Sequence, residues 1–96
     1  MQFLKCRFAK TNSIYQQFLH LRSELFEVQT EINDLRMIGD ADKKLFHAER
    51  IIEESFDVMH SAETLIRVVL REYPELDAEK AKQEVVLKNK VRGHYA

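Results

Sequence analysis

The chain has 96 residues, of which 45% are hydrophobic and 32% charged, and its 15 basic and 16 acidic side chains leave a formal net charge of −1. This length predicts a single domain over residues 1–96, and the near-neutral total argues against a general nucleic-acid binder, which carries a strong basic excess. A single cysteine, Cys6, excludes an intramolecular disulfide framework and a cysteine-based zinc site, while two glycines and one proline favour a few long helices over many strands and turns.

The first long helix is predicted over residues 14–38, approximately. Thr11, Asn12 and Ser13 precede it, and such side chains accept hydrogen bonds from the free amides at a helix start. Hydrophobic residues then recur in alternating steps of four and three, which places them on one helical stripe. This stripe comprises Ile14, Phe18, Leu21, Leu25, Val28, Ile32 and Leu35. Gly39 is expected to close the helix in the left-handed conformation, and Asp40 or Asp42 to cap the next helix.

The second helix is predicted over residues 42–73, approximately, because Pro74 cannot continue it. Its apolar stripe comprises Leu45, Ala48, Ile52, Met59, Ala62, Ile66, Val69 and Tyr73. A third, shorter helix is predicted over residues 77–91, with Asp77 as its cap and Gly93 after its end.

An all-α fold follows from these elements: a long two-helix antiparallel hairpin plus a short C-terminal helix. The short helix is expected to cover only part of the wide apolar faces of the hairpin. We therefore expect two or more chains to assemble into a four-helix-type core, as a homodimer or homotetramer.

The sequence argues against a membrane or nucleic acid as a partner, and it indicates a cellular location. No apolar run approaches the roughly 20 residues of a membrane span, so no membrane partner is expected. Nucleic acid is not expected either, because of the charge balance. The first residues lack the apolar stretch of a secretory signal, which makes the cytoplasm the expected location.

Carboxylates form two pairs at i,i+3 spacing, Glu24 with Glu27 on the first helix and Glu54 with Asp57 on the second. This spacing brings both members to one side of a helix, where like charges repel each other. A divalent cation would remove the repulsion, and Mg²⁺ prefers such oxygen ligands. Acidic residues beside an apolar stripe are more often a solvated helix flank. The pattern alone therefore leaves a metal site and a solvated flank both open.

The charges are unevenly distributed along the chain. Residues 1–10 carry a local charge of +3 and residues 80–96 a local charge of +4, whereas residues 11–79 carry −8. An acidic centre therefore lies between two basic ends, although the total charge is close to zero.

The two carboxylate pairs together resemble the motif of the MazG-like all-α nucleoside triphosphate pyrophosphohydrolases. That motif reads Glu-Glu-x-x-Glu, a spacer, and Glu-x-x-Asp. Here Ser23 stands where the family often has the first acid, and 26 residues separate Glu27 from Glu54. The segment Lys88-Asn89-Lys90-Val91-Arg92 looks like the end of many small, single-domain, often phage-type members.

The resemblance implies an enzyme that cleaves a nucleoside or deoxynucleoside triphosphate to the monophosphate and pyrophosphate. It implies Mg²⁺ as the cofactor, with Mn²⁺ as a possible substitute. It implies substrate-binding roles for Lys88, Asn89 and Arg92. The implied catalytic metal ligands are Glu24, Glu27, Glu54 and Asp57. Nearby acids such as Glu53 or Glu31 are candidates for assisting proton removal.

Two other functions are alternatives to this one. A non-catalytic helical dimerisation or adaptor module would have the same stripes, with its acids simply on the surface. A carboxylate-bridged di-iron bundle needs Glu-x-x-His pairs, and the sequence contains none.

Overall fold

The computed structural model describes residues 3–95, and its regular elements are four helices. They are α1 (Phe8–Thr11), α2 (Ile14–Met37), α3 (Ala41–Glu72) and α4 (Ala78–Val91). The all-α class is confirmed, and the three long helices lie within one residue of their predicted bounds. The short helix α1 was not predicted as a separate element.

Side-chain caps start each of the three long helices. Ser13 Oγ accepts a hydrogen bond from the Gln16 amide at 3.0 Å, and Gln16 Oε1 accepts one from the Ser13 amide at 2.8 Å. This reciprocal pair satisfies two amides that the first turn leaves free. The Asp40 carboxylate accepts from two amides at the start of α3, and the Asp77 carboxylate accepts from the Lys80 amide at 3.1 Å at the start of α4.

The helix ends differ from the prediction at Gly39. Within residues 3–95 the left-handed conformation occurs only at Gly93, with φ of 76°, so the expected left-handed closure at Gly39 is wrong. The physical reason is that Ile38 leaves α2 in extended backbone, with φ of −91° and ψ of 135°, and Asp40 caps α3 immediately afterwards. Gly93 instead follows α4, where its amide donates to the Lys90 carbonyl at 3.0 Å.

Helices α2 and α3 pack as an antiparallel hairpin: the start of α2 meets the end of α3, and the end of α2 meets its start. Gln17 Nε2 donates to the carbonyl and the hydroxyl of Ser61 at 3.1 Å each. At the other end, Glu31 contacts His47. In the described chain the buried polar residues are Gln17, Glu54, Ser61 and Thr64, whereas only Ala9 and Val68 are buried hydrophobic residues. The fully buried positions are therefore mainly polar, whereas apolar residues such as Leu21, Val28 and Val58 are half-buried.

Large apolar side chains face outward from α2 and α3 in rows with a spacing of seven residues. We call these the outer rows. On α2 the row is Phe18, Leu25 and Ile32; on α3 it is Leu45, Ile52, Met59, Ile66 and Tyr73. Each of these residues is at least 40% exposed. A single chain therefore leaves much of its apolar surface in water. A seven-residue apolar spacing is the pattern by which helices pack side by side.

Helix α4 does not cover the hairpin, which corrects the expectation that it would cover part of the apolar faces. None of its residues is buried, and it makes no extensive contact with α2 or α3. Its apolar residues Val85, Val86 and Leu87 are consecutive and 47–62% exposed. Consecutive helical residues point in different directions, so α4 lacks a single apolar stripe to lay on the hairpin.

Residues 3–12, which precede α2, lie across the C-terminal part of α3. Arginines of α3 donate hydrogen bonds to the backbone carbonyls of this segment. Arg67 donates to the Phe3 carbonyl at 2.7 Å, and Arg71 donates to the Ala9 and Asn12 carbonyls at 3.0 and 2.7 Å. These contacts bring residues 3–12 beside the N-terminal half of α2. Across the described residues, no helix combines the length and the apolarity needed to cross a bilayer.

Candidate metal centre

Four carboxylates converge where the middle of α2 faces the middle of α3. Glu24 and Glu27 come from α2, and Glu54 and Asp57 come from α3; each offers an oxygen atom, and these four atoms lie within 4.8 Å of one another. The i,i+3 spacing places each pair on one side of its helix, and the antiparallel hairpin turns the two sides toward each other. We call these four residues the carboxylate cluster.

Glu54 is the buried member of the carboxylate cluster. Its side chain is 8% exposed, and its Oε1 accepts a hydrogen bond from Arg50 Nη2 at 2.7 Å. Its other oxygen, Oε2, is buried and has no hydrogen-bond partner among the described residues. A buried carboxylate oxygen without a donor or a cation is costly, because it has lost its water without replacement.

The environment of Glu54 favours its protonated form. The pKa of Glu54 is raised from its ordinary value of 4.5, first because its protonated form can donate a hydrogen bond to the Glu27 carboxylate and then because it is buried. The negative charges of Glu27 and Asp57 act in the same direction, whereas the positive charge of Arg50 opposes it. Crowded carboxylates thus hold a proton when no other cation neutralises them.

This pKa shift predicts how the stability of the cation-free protein depends on pH. The folded state binds the Glu54 proton more tightly than the unfolded chain, so the stabilisation is present below pH 4.5 and is lost as the pH rises through the folded pKa. Glu54→Gln cannot lose a proton. In EDTA, we expect the melting temperature of Glu54→Gln minus that of wild type to increase as the pH rises above 4.5.

Thermal unfolding followed by circular dichroism checks this expectation. Glu49→Gln is the matched control, since Glu49 is an exposed acid of α3 outside the carboxylate cluster. A difference between Glu54→Gln and wild type that stays constant with pH would contradict the assignment of the shifted pKa to Glu54.

A second group of possible metal-binding side chains lies one turn further along the hairpin. Glu31, Asp34 and His47 offer atoms within 4.8 Å of one another. Two of the three already contact each other, since His47 Nδ1 lies 2.7 Å from Glu31 Oε2, and Arg50 Nε lies 3.6 Å from Glu31 Oε1. The hydrogen bond with His47 is the largest cause that lowers the pKa of Glu31. The sequence reasoning assigned no role to His47, although the i,i+3 spacing of Glu31 and Asp34 was a usable signal.

A small cleft adjoins the carboxylate cluster and shares Glu24 and Asp57 with it. Its volume is about 70 Å³, and Cys6 and Phe8 of the N-terminal segment form part of its wall, with the buried Gln17 also lining it. The cleft lies on the side of the cluster that faces the start of α2.

The predicted substrate-binding residues lie apart from the carboxylate cluster. Lys88 and Asn89 belong to α4 and Arg92 follows it. Within residues 3–95 no hydrogen bond or ion pair joins these three side chains to the four carboxylates. Among residues 3–95, the arginine or lysine that pairs with the cluster is Arg50, which no sequence motif indicated. Its position one turn before Glu54, at i,i+4 spacing, was the available signal.

Comparison of this chain with protein-family models, with curated proteins and with solved structures found no match. The functional proposal therefore depends on the geometry of the carboxylate cluster and on the motif resemblance.

Proposed function

We propose that this protein is a Mg²⁺-dependent nucleoside triphosphate pyrophosphohydrolase, which converts an NTP or dNTP to the monophosphate and pyrophosphate. The metal ligands would be Glu24, Glu27, Glu54 and Asp57. One observation carries the proposal: four carboxylates from two helices converge, and one of them, Glu54, has a buried oxygen, Oε2, with no hydrogen-bond partner among the described residues.

The donor set fits magnesium. All four side chains offer carboxylate oxygens, which are the ligands that Mg²⁺ prefers, whereas zinc sites favour histidine and cysteine. Mn²⁺ accepts the same ligands and is the expected substitute. When bound, Mg²⁺ would polarise the phosphate oxygens and make a water molecule a better nucleophile. A divalent cation would also give Glu54 Oε2 the positive partner that it lacks.

The roles of the remaining acids follow from their contacts. Hydrolysis adds a water oxygen to the α-phosphorus and breaks the bond to the leaving pyrophosphate, so a proton must be taken up from the water. Of the two candidate acceptors, Glu31 is weakened as a base because its contacts with His47 and Arg50 lower its pKa. Glu53 is 63% exposed in its side chain and is paired with Arg50 at 3.1 Å.

We include a homodimer or homotetramer in the proposal. The outer rows support it, because few hydrophobic residues are buried in a single chain while many large ones are exposed. Lys88, Asn89 and Arg92 remain the proposed substrate-binding residues. Since α4 does not pack on its own hairpin, we propose that it contacts the carboxylate cluster of a second copy of the chain.

The deciding experiment is a substrate panel. Purified protein is incubated with Mg²⁺ and with each common ribonucleoside and deoxyribonucleoside triphosphate, and pyrophosphate and monophosphate are quantified. We expect equal amounts of both products from at least one triphosphate, Mn²⁺ to substitute for Mg²⁺, and EDTA to stop the reaction. If no triphosphate is cleaved with either metal, the proposal is wrong.

A non-catalytic helical adaptor is the second candidate, and the exposed outer rows favour it. Such a module would assemble through the outer rows but would neither bind Mn²⁺ at the carboxylate cluster nor release pyrophosphate. Metal binding measured together with the panel therefore separates the two functions.

A further inference from the structure

We propose that Arg50 binds the phosphate groups of the triphosphate at the carboxylate cluster. This inference rests on the proposed function and assigns to it a residue that neither the motif resemblance nor the spacing of the acids selected. A site with four carboxylates needs positive charge beside it to attract a highly charged triphosphate and to stabilise the leaving pyrophosphate.

Arg50 is the cation that the fold places at the carboxylate cluster. Its Nη2 donates to Glu54 Oε1 at 2.7 Å, and its Nη1 donates to Glu53 Oε2 at 3.1 Å. Among residues 3–95 it is the only lysine or arginine whose side chain forms an ion pair with a member of the cluster. The predicted basic residues of α4 do not reach this position within one chain.

The guanidinium of Arg50 retains the capacity to bind a further anion. Its side chain is 39% exposed, and its two hydrogen bonds use only two of the five N–H groups that an arginine offers. The planar fork of these groups matches the oxygens of a phosphate, which can accept two parallel hydrogen bonds. Arg50 can therefore contact a phosphate at the solvent-facing edge of the cluster.

Neighbouring acids hold Arg50 at this edge in a manner that does not depend on Glu54 alone. Glu31 lies 3.6 Å from Arg50 Nε and is itself held by His47 at 2.7 Å. A divalent cation at the cluster would partly neutralise Glu54 and so weaken its attraction for Arg50. Glu31 and Glu53 would still keep the guanidinium beside the site, with N–H groups left to donate to a phosphate.

The test measures binding of inorganic pyrophosphate, the proposed product, in the presence of Mg²⁺ by isothermal titration calorimetry. The variants are Arg50→Gln, which removes the charge, and Arg50→Lys, which retains it without the fork. The matched control is Arg36→Gln, an exposed arginine of α2 outside the cluster. Mn²⁺ binding without pyrophosphate, followed by electron paramagnetic resonance, is measured for every variant.

We expect Arg50→Gln to bind pyrophosphate about tenfold more weakly or worse, as for the loss of a charge-assisted hydrogen bond. Arg50→Lys should lie between Arg50→Gln and wild type, Arg36→Gln should match wild type, and Mn²⁺ affinity should not fall in any of them. Equal pyrophosphate affinity in wild type and Arg50→Gln would overturn the role of Arg50 alone. Loss of Mn²⁺ binding in Arg50→Gln and in Arg50→Lys would also overturn it, because Arg50 would then act by positioning Glu54. Absence of Mn²⁺ binding in the wild type would overturn the proposed function and this inference together.

Discussion

Glu54→Gln and Asp57→Asn are each expected to abolish pyrophosphate release while the helical hairpin stays folded. Each substitution keeps the size of the side chain but removes a negative charge from the carboxylate cluster. Loss of groups that merely orient a metal ligand commonly costs 10- to 100-fold in activity, so loss of a ligand should lower kcat/KM by about 100-fold or more. Stability should not fall, because carboxylate repulsion is relieved.

Steady-state pyrophosphate release, Mn²⁺ affinity and thermal unfolding check this prediction in parallel. Glu49→Gln is again the control, since it removes one charge from the same helix at an exposed position outside the cluster. Unchanged turnover in Glu54→Gln would exclude the cluster as the reaction site. A lost activity accompanied by a lost fold would instead assign Glu54 a structural role.

Ile66→Glu is expected to break the proposed homo-oligomer. Ile66 belongs to the outer row of α3, is 44% exposed in a single chain, and lies nine positions after Asp57 in the sequence. Burying an isoleucine from full exposure contributes about 1.5–3 kcal/mol, and an interface would supply just under half of this at Ile66. In a symmetric dimer the residue counts twice, so its loss should weaken assembly by roughly 10-fold or more.

Size-exclusion chromatography with light scattering measures this effect against the chain mass of 11.4 kDa. Wild type should elute at a multiple of this mass, and Ile66→Glu should shift toward the single chain and unfold at a lower temperature. The control is Gln29→Glu, which introduces the same charge at an exposed polar position of α2. A wild-type protein that is monomeric at all concentrations would refute the oligomer.

Local patterning was sufficient to predict the helices. The alternating spacing of Ile14, Phe18 and Leu21 indicates a helix wherever it occurs, and the capping side chains of Ser13 and Asp77 satisfy amides only a few residues away. Such interactions act between near neighbours in the chain, so they can be recognised without knowledge of the fold. The bounds of α2, α3 and α4 accordingly lie within one residue of the predicted ones.

Packing between helices could not be predicted in the same way. The apolar faces were expected to be wider than one hairpin can cover, and Phe18, Ile52 and Ile66 are exposed, but the spacing did not indicate which members of each stripe stay uncovered. The spacing of a stripe identifies a face of a helix but not the surface that covers it. The orientation of α4 depends on the backbone of the connection at residues 73–77. Val85–Leu87 do not fix it, because α4 makes no extensive contact with α2 or α3.

The carboxylate cluster has some features that local patterning predicts and others that only the tertiary structure decides. The i,i+3 pairs put Glu24 beside Glu27 and Glu54 beside Asp57 because a helix turns by a constant angle per residue, and this was readable from the chain. The approach of the two pairs, the burial of Glu54 Oε2 and the presence of Arg50 and His47 depend on the register of the hairpin. That register brings together atoms from residues 16 to 33 positions apart, and local periodicity contains no information about it.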